Sequence, residues 1–184
     1  MANMVVRRKK GAESVRIIEH KIADVRGGVS VKTSNLPSGI LNEGAVLSTP
    51  NDGICSVIKV AKVVTEVAES AKTIEIAKGS NIAVGDYIIV SGGSTSVKVT
   101  AINSADVTKD VLTTSSAIGA VAVGKVIVEA DNNGKVAKPL GICGTNVAFE
   151  QGDNVQVDCW LIATTKGLEL PEEIAEELKG IVNY

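Results

Sequence analysis

The chain has 184 residues and a formal net charge of −2, with 45% hydrophobic and 22% charged residues and a mean hydropathy of +0.23. That length can bury a substantial core without disulfides or metals, and that composition excludes a wholly disordered chain. Apolar runs are only a few residues long where a spanning helix needs about 20, no apolar leader follows Met1, so a secretory signal is not expected, and the near-neutral balance excludes a general polyanion binder.

The residue mix points to strands. There are 27 Val, 18 Ile and 12 Thr against 9 Leu, and β-branched side chains suit a pleated surface better than a helix. With 18 Gly, the chain reads as many short strands joined by tight turns. The four aromatics, Tyr87, Phe149, Trp160 and Tyr184, are too few for a base-stacking platform. Cys55, Cys143 and Cys159 form no CxxC pair and read as reduced core thiols of a protein made in the cytosol.

Residues 1–28 are set apart by charge. Arg7, Arg8, Lys9, Lys10, Arg16, Lys21 and Arg26 face only Glu13, Glu19 and Asp24, a local balance of +4. This basic arm ends at Gly27-Gly28, a candidate hinge. Four contiguous charges at positions 7–10 suit phosphate contacts, docking onto an acidic protein surface, or a solvated tail.

Residues 29–166 form the expected β-rich body. Val29-Ser30-Val31-Lys32 alternates as a strand, and Pro50-Asn51-Asp52-Gly53 is a turn, with Pro presetting φ and Gly accepting positive φ. Residues 54–69 are ambiguous: apolar positions 54, 57, 58, 61, 64 and 68 suit a helix, but the Val content favours strand, and strand is the reading preferred. Residues 73–77 and 87–90 are strands. Ser91-Gly92-Gly93-Ser94 turns the chain into residues 96–102 as a hairpin, and Asp131-Asn132-Asn133-Gly134 joins 126–129 to 135–136 through an Asn-Gly turn of type I′. Residues 104–111, with Asp106, Lys109 and Asp110, read as a solvated loop. Residues 141–149 and 155–164 are the last strands. A Gly-polar turn feeding a Val/Ile strand recurs at Gly85-Asp86, Gly124-Lys125 and Gly152-Asp153, at unequal spacing, the grammar of a barrel or sandwich and not of a solenoid.

Residues 167–184 carry five Glu against Lys179. Pro171 suits a first helical turn, Glu172 and Glu173 suit its positive end, and Ile174, Leu178, Ile181 and Val182 form one stripe at helical spacing. The spacing predicts a helix over 171–182, too short to stand alone in water. Its stripe is the candidate helix-docking or oligomer contact, with docking on its own β-body and bundling with symmetry mates both open.

Catalytic chemistry finds no purchase. His20, the single histidine, sits among charges in the arm with no orienting partner. Phosphate-loop, dinucleotide and nucleophile-elbow motifs are missing from the sequence. Three Cys without a nearby His do not make a zinc site, and Asp131–Gly134 lacks the twelfth-position Glu of a calcium loop. No cofactor, metal or catalytic residue is expected.

Leu36-Pro37-Ser38-Gly39-Ile40-Leu41 with residues 42–47, the stretch 73–87 with its Val84-Gly85-Asp86 turn, and the end formed by 155–163 and Leu170-Pro171-Glu172-Glu173-Ile174 resemble the small β-rich virion proteins of tailed phages, the head fibre or capsid decoration proteins. The resemblance spans about residues 36–184 and implies a non-enzymatic, often trimeric protein on the outside of the head shell, reaching it from the host cytoplasm. The implied partners are the major capsid protein or other virion proteins, with neither membrane nor nucleic acid. Residues 1–28 match no pattern of that family. The expectation is therefore a mainly β chain, a barrel or sandwich body with an extended basic arm and a short C-terminal helix. Arg7, Arg8, Lys9, Lys10 and Arg16 are its candidate capsid contacts. A tail or baseplate component is the alternative, and a carbohydrate- or receptor-binding β-module a second.

Overall fold

The structure, a computed structural model, describes residues 16–37, 39–150 and 152–184. In chain order the elements are β1 (Ile18–Asp24), β2 (Val29–Lys32), β3 (Gly39–Leu41), β4 (Val46–Ser48), β5 (Ile54–Ile58), β6 (Val60–Lys62), β7 (Thr73–Ala77), β8 (Tyr87–Val90), β9 (Val97–Asn103), β10 (Lys109–Thr114), β11 (Val126–Ala130), β12 (Pro139–Cys143), β13 (Val147–Phe149), β14 (Val155–Val157), β15 (Cys159–Thr165), α1 (Glu172–Glu177) and β16 (Ile181–Asn183). The mainly β expectation holds.

The strands sort into two units, one inserted in the other. The outer unit is a sheet in the order β1-β15-β12-β4-β5-β2-β14, with β16 alongside β15 and the β13-β3 pair beside it. The inserted unit is a six-stranded sheet in the order β6-β11-β8-β9-β10-β7. Its end strands meet through the Val63–Ile76 bridge, where the Val64 amide donates to Glu75 O at 3.0 Å, so the sheet curls shut as a small barrel.

Three aliphatic cores follow from this layout. Ile74, Ile76, Ile88, Val99, Leu112 and Ile127 fill the barrel. Val31, Leu41, Leu47, Cys55, Cys143 and Cys159 fill the curl of the outer sheet. Between the units, Ile89 and Val128 meet Val46, Ile58, Ile142 and the helix residue Ile174. Strands β8 and β11 are thus covered on both faces, which is why Tyr87-Ile88-Ile89-Val90 and Val126-Ile127-Val128 read as unbroken apolar runs.

The recurrent Gly-polar turn is one structure used repeatedly. Asp86, Lys125 and Asp153 each donate their amide to the carbonyl three residues back, and Gly85, Gly124 and Gly152 have φ of +102°, +85° and +102°. That is the type II pattern, open to glycine at its third position. Asn42-Glu43-Gly44-Ala45 repeats it, with Gly44 at +88°.

Several expectations are corrected. Residues 18–24 are a full strand of the sheet, so residues 1–28 are not one extended arm. Gly27-Gly28 is a tight turn rather than a hinge, closed by Gly28 N–H on Val25 O at 2.8 Å and by Gln156 on Gly27 O. Residues 54–69 are strand only over β5 and β6. Positive φ at both Asp52 and Gly53 makes the two-residue type I′ hairpin there, whereas Asn133 keeps negative φ and the Asp131–Gly134 turn is not type I′. Asp110 lies buried on β10 with its carboxylate 2.6 Å from Lys78 Nζ, not in a solvated loop.

The C-terminal helix is six residues, and Ile181 and Val182 belong to strand β16, paired in parallel with β15. Gly180 explains the break. A Cβ there would lie 2.4 Å from Leu161 O, so only glycine lets the chain come in beside β15, where β-branched Ile181 and Val182 take up the edge that β12 leaves free.

Candidate functional site

The basic segment meets the folded body at β1. This strand lies at the end of the sheet order, paired with β15 along one side, from Ile18 opposite Thr165 to Asp24 opposite Trp160. Its first residues are held from within. Glu43 is buried, and its Oε1 accepts the amides of Ile17 at 2.9 Å and Ile18 at 2.7 Å. Ile17 O in turn accepts the Lys166 amide at 2.9 Å. Further along, Lys21 Nζ donates to Gly144 O at 3.0 Å and stands 5.2 Å from the centre of the Trp160 ring. Trp160 is itself half-buried against the inter-unit core.

Arg16 is exposed at the foot of this strand, and His20 is exposed on it opposite Thr164. Ile22 in β1, Ile162 in β15 and Val182 in β16 are solvent-exposed aliphatics on these neighbouring strands. Arg7, Arg8, Lys9 and Lys10 lie outside the described residues. Of the five candidate capsid contacts, the structure therefore places Arg16 alone.

The C-terminal stripe divides. Ile174, Leu178 and Ile181 are buried in the inter-unit core and dock α1 on the chain's own body, whereas Val182 is 59% exposed. The Ser91–Ser94 hairpin caps the helix: Ser91 Oγ accepts the Glu172 amide at 2.9 Å and donates to Glu173 Oε2 at 3.0 Å, and Gly92 N–H also meets Glu173. The acidic first turn thus ties α1 to the barrel. Lys62 and Glu169 add a half-exposed ion pair at 2.5 Å.

Sequence reasoning missed a charge cluster at the junction of the units. Lys59, the one residue between β5 and β6, is 1% exposed, and its Nζ lies 2.6 Å from Asp86 Oδ2 and 3.6 Å from Glu129 Oε1. Burial pushes the Glu129 carboxyl above its usual range, against the pull of the Lys59 charge. A cavity of about 230 Å³ opens beside Lys59, between Glu43-Gly44 and Ser80-Asn81. The available signal was a lysine inside the apolar run Val57-Ile58-Lys59-Val60, where neither alternating face is free to be polar.

The three cysteines are buried and unbridged, with Cys143 opposite Cys159 in the sheet. Burial raises the thiols, that of Cys143 to about 11 and that of Cys159 to about 12, the reverse of what a nucleophile or metal ligand needs. The Asp131 carboxylate accepts the amides of Asn133 and Lys135, both at 2.8 Å, so it is engaged in ordering its turn. Among the described residues, no group of His, Cys, Asp and Glu is placed to hold a metal, and no helix is long and apolar enough to cross a membrane.

Compared with family models, with curated proteins and with solved structures, the chain matches none of them.

Proposed function

We propose that the chain is a non-enzymatic structural protein of a phage virion, carried on the outside of the capsid as a decoration or head fibre protein and assembled as a homotrimer. The observation that carries this reading is the junction at β1. A segment of concentrated positive charge runs directly into an edge strand that buried Glu43 bolts to the body, so a load taken by the arm passes into the sheet. The outer side of an edge strand offers backbone donors and acceptors to a partner strand, and the exposed aliphatics Ile22, Ile162 and Val182 lie on β1, on β15 beside it and on β16 one strand further in. The two aliphatic cores and the aliphatic interface between them suit a rigid external module, since burial stabilises it by about 25 cal/mol per Å².

Electron microscopy of particles with and without the protein tests the reading. Discrete density on the outer capsid, missing from deletion particles and matching three copies per site, is the expected result. An unchanged shell, or density confined to the tail, overturns it.

A further inference from the structure

The junction cluster has a geometry that an ordinary ion pair does not require. Both of its carboxylates are held by backbone amides, and the Lys59 ammonium meets only those two acids. Asp86 Oδ2 also accepts the Ala83 amide at 2.7 Å. Glu129 donates its own amide to Lys59 O at 2.8 Å, and its Oε2 accepts the Lys59 amide at 3.3 Å. The Lys59 side chain has no exposed surface, against 13% for Asp86 and 24% for Glu129. Two carboxylates face one ammonium, so the cluster carries an unbalanced negative charge in a place where charge is costly to hold.

We propose that Lys59 and Asp86 condense into an intramolecular amide, with Glu129 as the proton carrier in the second half of the reaction. An Oδ2 contact of 2.6 Å leaves the carboxyl carbon at most one carbon–oxygen bond beyond the nitrogen's reach. Fixed reactants of this kind react with effective concentrations of about 10⁵–10⁸ M. The proton of the Nζ–Oδ2 hydrogen bond moves along it to the Asp86 carboxylate, which leaves a neutral amine and a neutral acid. The amine lone pair attacks Cγ and the N–C bond forms. Glu129 removes a second proton from the nitrogen and delivers it to the hydroxyl, the C–O bond breaks, and water leaves. An ammonium and a carboxylate become an amide and one water, and Glu129 ends ionised as it began. A carboxyl raised by burial suits a group that must both take and return a proton. The reaction removes two buried charges and needs no oxidant or cofactor.

The bond joins the last residue before the barrel to the turn that opens β8, on the far side of β11 in the sheet order. It fastens the inserted barrel to the end of β5 covalently, at the point where a pull on one unit is passed to the other. This inference is independent of the capsid reading.

Intact mass spectrometry of the full purified chain tests it, with a peptide map to locate any change. The expected mass is one water below that of the sequence, and digestion yields a branched peptide joining the segments that hold Lys59 and Asp86. The Lys59→Arg variant, which keeps the charge without a comparable nucleophile, keeps the full mass. Glu129→Gln folds, by its circular dichroism, and forms the bond far more slowly or not at all. Wild-type protein at full sequence mass after prolonged incubation overturns the proposal. So does a water deficit that maps to cyclisation of Asp52-Gly53 rather than to a branched peptide.

Discussion

Glu43 Oε1 lies 2.7 Å from the amide nitrogen of Ile18, twenty-five residues before it in the chain, and the same oxygen takes the amide of Ile17. A turn residue thereby replaces a sheet partner at the start of β1. Glu43→Ala leaves both donors without an acceptor, and the Ile18 amide is buried; each such orphan costs about 1–3 kcal/mol. The expected melting temperature falls by about 2–4 °C per kcal/mol for a chain of this size. Amide exchange should quicken over residues 18–24 and stay slow in β8 and β11. Equal loosening throughout would show that Glu43 does not act on β1 specifically.

The C-terminal stripe offers a paired comparison. Ile174 is fully buried between the units and Val182 is exposed. Ile174→Ala should cost about 2–5 kcal/mol through lost burial and the cavity left behind. Val182→Ala should stay within about 0.5 kcal/mol in the isolated chain. Denaturant midpoints measure both. A large effect at Val182 that depends on protein concentration would place that residue in an oligomer contact.

These positions also show where the sequence was readable. Strands β7, β8 and β9 were legible because period-two or unbroken Val/Ile runs end in Gly-rich turns, and the repeated Gly-polar turn predicted a shared backbone shape that four loops adopt. Ile174, Leu178, Ile181 and Val182 read as one helical stripe, yet only the first three are buried together and the last two lie on β16, because spacings of four and three are helical whether or not the chain stays helical between them. What ends the helix is the space beside β15, a tertiary fact carried by Gly180. The charge cluster was harder still. Glu43 and Asp86 look like ordinary turn polars, and nothing local says that one is turned inward to β1 and the other to Lys59. The site expectations resting on positions 7–10 fall outside the described residues, so the structure bears on the arm only through Arg16 and β1.

Gly180→Ala tests the account of the helix break. The added methyl would meet Leu161 O at 2.4 Å and Ile162 Cγ1 at 3.1 Å. Overpacking of this kind costs about 1–3 kcal/mol, and the strain falls on β16. The variant should lose amide protection at 181–183 while α1 stays docked through Ile174. Retained protection there would mean that β16 tolerates a side chain at this point and that the helix ends for another reason.

Glu129 gives the protein a pH dependence with a definite sign. Its carboxyl sits above the ordinary value of 4.5, chiefly through burial. The folded chain therefore binds this proton more tightly than the unfolded chain does. Its contribution to stability is full below the ordinary value, declines as pH rises through the window up to the folded value, and is flat above it. Glu75, Asp106 and Asp131 are shifted down by hydrogen bonds and act in the opposite sense, so wild type alone does not isolate the effect. Glu129→Gln mimics the protonated form and isolates the effect when both chains carry Lys59→Arg, which keeps the neighbouring charge and forms no cross-link. The stability of the chain that keeps Glu129 relative to its Glu129→Gln counterpart should fall between acidic and neutral pH, measured by denaturation at each pH. A constant difference would mean that Glu129 titrates in the fold as it does in water.

The arm prediction follows from charge alone. Arg7, Arg8, Lys9 and Lys10 are consecutive cations with no acidic residue before Glu13, and exposed charge pairs contribute about 0.2–1 kcal/mol each. If four such contacts hold the protein on a particle, replacing all four with Ser should weaken binding by about fourfold to a thousandfold, with the body's melting profile unchanged. Screening supplies the control, because the Debye length shrinks from about 8 Å at physiological ionic strength to about 3 Å at 1 M. Wild-type protein should therefore leave the particle as salt is raised, while the variant's residual binding should hardly respond. Co-sedimentation with particles across a salt series reads both, and wild-type binding that persists unchanged at high salt would transfer the anchoring role to the aliphatic residues on β1, β15 and β16.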